Sequence, residues 1–207
     1  MERHGKLRDA QIDAIKTYLF LKIACHNRPL WRLLYDGSFN SLTDQDLDNL
    51  PLTAASRRYL KSDKAALALY EYAVSEDDCG NMTSPALAER IKSDPQSLDY
   101  LKIIKSLFYE VDYTDYLFSI PMGAGKTWLM SAFVYLNMYF ALNEPDNPIF
   151  AHNFIILAPA GLKSSIIPSL KDMREFDPTF ILPEPTASQI RAKIKYETDM
   201  NGFRQRE

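Results

Sequence analysis

Residues 119–127 read Ser-Ile-Pro-Met-Gly-Ala-Gly-Lys-Thr. The chain has only seven glycines, and two of them, Gly123 and Gly125, stand one residue apart directly before Lys126 and Thr127. Glycines so placed let backbone N–H groups wrap around a phosphate with no Cβ in the way. Lys126 can reach β- and γ-phosphate oxygens as a point charge, and the Thr127 hydroxyl can ligate Mg²⁺. The flanks suit the loop. Tyr116–Ile120 is a short apolar run that reads as a strand. Trp128–Leu142 is an apolar stretch that reads as a buried helix, whose N-terminal end would add its dipole to an anion site. The phosphate-loop pattern G-x-x-x-x-G-K-[ST] asks for glycine at position 120, where this chain has Ile120.

Phe154–Leu157 is a second apolar run, followed by Ala-Pro-Ala-Gly and then Leu-Lys-Ser-Ser at 162–165. A strand ending at Ala158 would feed a turn and a helix from about Leu162 to Glu175. Lys163, Ser164 and Ser165 would stand at that helix's start, either as a second phosphate site or as ordinary caps. Phe180–Leu182 reads as a third strand, and Thr186 as the cap of a last helix through Tyr196. Short apolar strands alternating with helices predict an α/β fold with a parallel sheet over residues 116–207.

Residues 1–115 read differently. Leu7, Ile12, Ile15, Leu19 and Ile23 are spaced for a helix over 7–26, and Pro29–Tyr35 is a short one ended by Asp36-Gly37. Thr53–Ser75 reads as one long helix. Ser84-Pro85 starts another to about Ser93, and a further helix comes after Pro95. These residues carry 15 basic and 18 acidic side chains, so the net charge of −3 lies here, while 116–207 carry nine of each. That balance excludes a protein that coats nucleic acid by bulk positive charge. Cys25 and Cys79, far apart and without CxxC spacing, fit a reduced, cytoplasmic protein. The most apolar stretch, with Ser131 and Asn137 inside it, falls short of the roughly 20 residues that span a bilayer, so no membrane is expected as a partner. The mixed start of the chain has no secretory pattern.

The two loops together resemble motifs I and Ia of superfamily 2 DEAD/DEAH-box helicases, and in particular the ATPase of type III restriction enzyme Res subunits. That resemblance implies a RecA-like P-loop (Walker A) domain, incomplete here. ATP and Mg²⁺ would be held by Gly123, Ala124, Gly125, Lys126 and Thr127, and a DNA backbone would lie near Lys163, Ser164 and Ser165. It also implies partners: the remainder of a helicase core and a restriction–modification methyltransferase subunit. Leu7–Ile15, within a segment spanning residues 6–15, is similar to the stretch around the glutamine that reads adenine in such enzymes, so Gln11 would bind the base. About 110 residues separate it from the loop, several times the usual gap, which makes the helical region an insertion. The family's Asp-Glu pair, which holds Mg²⁺ and orients water, has no counterpart after Ser165. No residue is therefore expected to be catalytic, the chain is expected to be inactive alone, and its length reads as a truncation. Two other readings remain open: a P-loop nucleotide or small-molecule kinase, and a helical interaction module (residues 1–115) with a vestigial nucleotide loop.

Overall fold

The computed structural model describes residues 7–157 and 171–195, and its regular structure over those residues is helical. The chain forms two compact units, Met1–His26 with Phe118–Glu207, and Asn27–Leu117. The second is inserted in sequence between the two pieces of the first.

In the first unit, α1 (Asp9–Leu19) buries Gln11, Ile12, Ala14 and Ile15 on one face. The chain runs on as a π-turn over Phe20–Ala24, closed by the Cys25 amide donating to Phe20 O at 3.0 Å. That wider turn rotates the helix frame. Leu21 and Cys25 are therefore buried, and Ile23, expected in the core, is exposed. The long helix α8 (Lys126–Asn143) buries Leu129, Ala132, Tyr135 and Leu136 together with Ser131 and Asn137. These two polar side chains are accommodated by bonding back to the helix. Ser131 Oγ donates to Thr127 O at 3.1 Å, and Asn137 Nδ2 donates to Phe133 O at 2.8 Å and to the Tyr18 hydroxyl. Burial pushes the Tyr18 phenol up in pKa, against the opposing pull of the Asn137 bond. The core of this unit joins Ala14 and Ile15 of α1, the α8 residues, and Phe176, Phe180, Leu182, Ala187 and Ile190. Trp128 stacks edge-on to Phe176 with centroids 6.0 Å apart. The last helix, α9 (Thr186–Lys193), starts one residue early, so Thr186 is its first residue and not its cap.

In the second unit, α2 (Leu30–Tyr35), α3 (Asp44–Asn49), α4 (Ala54–Ser62), α5 (Lys64–Val74), α6 (Pro85–Ser93) and α7 (Tyr100–Leu107) enclose a core of Leu47, Leu60, Leu69, Tyr70, Ile91 and Ile104, among others. The single helix expected over 53–75 is two. Asp63 is extended, at φ −120 and ψ 109, and its carboxylate accepts from Ala65 N at 2.9 Å and Ala66 N at 3.0 Å, capping α5. A side chain that caps a new helix competes with continuing the old one. Helix α3 was not expected; its signal is Thr43, whose hydroxyl accepts from Asp46 N while Asp46 accepts from Thr43 N. Tyr109 and Tyr113 are exposed, and Tyr109 has φ 56.

The parallel sheet is overturned. Among the described residues there is no strand, and the one β-contact is an isolated antiparallel bridge between Glu76 and Met82. Tyr116–Ile120 and Phe154–Leu157 have no ladder partners, and Phe180 ends a 3₁₀ turn, Pro178–Phe180. A strand exists only through its pairing, so apolar, β-branched composition by itself does not make one. Leu117, Ile155 and Leu157 are each about nine-tenths exposed, at 92%, 88% and 89%, where a covered sheet would have buried them. Among the described residues no helix is long and apolar enough to cross a membrane.

Candidate functional site

The loop at 121–127 has the backbone its glycines predict. Gly123 has φ 76 and Gly125 has φ 80, with Ala124 between them outside the positive-φ region. Left-handed residues so placed can aim neighbouring backbone N–H groups into one concave, anion-seeking surface. Ala124 N donates back to Pro121 O at 3.2 Å, which closes the turn, and the Ala124 side chain is buried.

Gly125 is the N-cap of α8, and no side chain caps that helix. The first turn of any helix leaves N–H groups without intrahelical partners. Here they belong to Lys126, Thr127 and Trp128, and the cap residue has no side-chain oxygen to satisfy them. The helix is 18 residues long, so its dipole is developed where these amides point. Lys126 itself is exposed and, among the described residues, makes no ion pair. Thr127 is half-buried beside it, its carbonyl taken by Ser131.

The back of the loop is held from α1. Gln11 is 2% exposed. Its Oε1 accepts from Arg8 N at 2.9 Å, and its Nε2 donates to Gly125 O at 2.9 Å across 114 residues of sequence. The Arg8 guanidinium donates to Gly123 O. Two side chains one helical turn apart thus take the carbonyls of the two loop glycines. A Cβ at Gly125 would stand 2.5 Å from Gln11 Nε2, whereas one at Gly123 would meet nothing within 4 Å. Gly125 is therefore required both for its φ and for space.

Of the residues named from sequence, Gly123, Ala124, Gly125, Lys126, Thr127 and Gln11 come together at one place. Lys163, Ser164 and Ser165 lie outside the described residues. Sequence reasoning misses Arg8. Its signal is the Arg-x-x-Gln spacing, in which a glutamine at the third helical position reaches back to the amide of the N-cap residue, Arg8.

No protein-family model, no curated protein and no solved structure matches this chain. The helicase resemblance therefore rests on its motifs alone.

Mg²⁺ would find few protein ligands here. Among the described residues, no group of three or more His, Cys, Asp or Glu side chains comes together. A magnesium ion at the loop would be held by the Thr127 hydroxyl and by phosphate oxygens that arrive with it, in keeping with the few protein ligands that Mg²⁺ commonly takes.

Proposed function

We propose that residues 121–127 bind the polyphosphate of a magnesium–nucleoside triphosphate, ATP by the motif resemblance, in the ATP-binding part of a DNA helicase or translocase. One observation carries the binding half of the proposal: the alternating backbone of Gly123-Ala124-Gly125 leads directly into the uncapped N-terminus of α8, with exposed Lys126 as its first residue. Amides, dipole and ammonium then act on one anion. Lys126 offsets charge on the terminal phosphates and Thr127 holds the ion. The assignment to DNA movement is supported by the likeness of 119–127 and 154–165 to helicase motifs I and Ia, and by nothing beyond that.

The test is equilibrium binding of Mg·ATP to the whole chain and to Lys126→Ala. Measurable binding that falls at least tenfold in the variant, with the thermal midpoint unchanged, supports the proposal (a tenfold loss is about 1.4 kcal/mol). Equal binding by the two proteins refutes it. Stimulation of nucleotide affinity by double-stranded or single-stranded DNA tests the second half.

A further inference from the structure

Gln11 has an amide with one acceptor oxygen and two N–H donors. A glutamine that reads a purine must present an acceptor and a donor together, outward, to the base edge. Here Oε1 is engaged by Arg8 N, Nε2 by Gly125 O, and the side chain is 2% exposed. To meet a base it would have to break both bonds and leave the Arg8 amide without its acceptor. It is also wedged, since Gly125 comes so close that a single methyl group there would collide with Nε2. Arg8 reinforces the same arrangement from its other end, through Gly123 O.

We infer that Gln11 is a positioning residue for the phosphate loop and not a reader of the base. With Arg8 it fixes the two glycine carbonyls on the α1 side, so that the Lys126 N–H, which shares its peptide with the Gly125 carbonyl, stays turned toward the anion. The site's ligand class is accordingly a magnesium polyphosphate with no base preference imposed by Gln11: any nucleoside triphosphate, or inorganic tripolyphosphate. This rests on the nucleotide-binding proposal above.

The experiment titrates the whole chain with Mg·ATP, Mg·GTP and Mg·tripolyphosphate, for wild type, Lys126→Ala, Gln11→Ala and Gln11→Glu. A bidentate contact to a base edge discriminates by about fivefold to more than a hundredfold. Wild type is expected to bind the three ligands with less than about fivefold spread. Gln11→Ala is expected to weaken all three by a similar factor, about fivefold for one neutral hydrogen bond, leaving their ratios unchanged. Gln11→Glu carries the readout that a merely structural role would not move. Its ionised carboxylate cannot donate to Gly125 O, and its protonated form can. Its affinity relative to wild type should therefore rise as pH falls through the carboxyl range. A preference for ATP over tripolyphosphate of tenfold or more in wild type, lost in Gln11→Ala, overturns the inference while leaving the nucleotide site intact. A wild-type spread below about fivefold supports the inference even if Gln11→Ala does not fold, and Gln11→Glu then carries the ratio test. Binding that ignores Lys126→Ala, or no binding of any of the three, overturns the nucleotide proposal and this inference with it.

Discussion

Replacing each loop glycine by alanine separates two costs that the structure assigns unequally. Gly123 and Gly125 have nearly the same backbone, φ 76 and φ 80. An alanine at either position bears the left-handed penalty of about 1–2 kcal/mol. At Gly123 nothing further happens, because the new Cβ meets open space. At Gly125 the Cβ lands 2.5 Å from Gln11 Nε2, well inside contact, so the buried amide must move. Moving it loses the bond to Gly125 O and the bond from Arg8 N. At about 0.5–1.5 kcal/mol each, those losses add about 1–3 kcal/mol. Gly125→Ala should therefore destabilise the first unit by about 2–5 kcal/mol and Gly123→Ala by about 1–2. The assay is urea unfolding monitored by Trp128 fluorescence in a Trp31→Phe background, which leaves one tryptophan, in the first unit. That background change is mild, since the buried Trp31 Nε1 has no hydrogen-bond partner. The double variant with Gln11→Ala completes the cycle: once Gln11 is truncated, the extra cost at Gly125 should vanish, leaving a coupling of about 1–3 kcal/mol. Equal costs at the two glycines, or strict additivity with Gln11→Ala, would refute the contact on which the loop's placement depends.

Other parts of the chain yield three more expected outcomes. Asp63→Ala removes both capping bonds of α5 and should cost about 1 kcal/mol in thermal or urea unfolding; no change would mean that α5 starts without its cap. Ile15→Ala, at a position with 0% exposure in the first core, should cost about 2–5 kcal/mol by the same measurement, and a value near zero would contradict the α1–α8 packing. The Asp46 carboxyl is held below the ordinary carboxylate range, chiefly by the Thr43 hydroxyl and then by the Thr43 amide. A depressed folded pKa gives a contribution that is present above the unfolded value, about 3.9, and is lost as pH falls through the folded one. The stability gap between wild type and Asp46→Asn should therefore be open at neutral pH and close in acid, and a gap that widens in acid would reverse the assignment.

The loop is legible in the sequence because its information is local. Two glycines, a lysine and a threonine specify positive φ, an uncapped helix start and a charge, and no distant residue is needed to form them. A motif echo points to Gln11 but not to its environment, because burial against Gly125 depends on a contact across 114 residues. Arg8 escapes sequence reasoning for the same reason. The helices of 27–117 are largely readable from caps and apolar spacing, and the break at Asp63 is hidden because its carboxylate caps the second of two helices that abut without Gly or Pro. The sheet fails for a different reason. Apolar runs at 116–120 and 154–157 carry strand composition, yet a strand is a relation between segments, and the described residues supply no partner for either.

The central claim is that an anion binds on the amides of one loop. Backbone amide resonances recorded during titration with Mg·tripolyphosphate test it most directly. Saturable shifts concentrated at Gly123, Ala124, Gly125, Lys126 and Thr127, abolished in Lys126→Ala, are the expected result. Shifts scattered over the lysines of both units, and unchanged by that substitution, would contradict it.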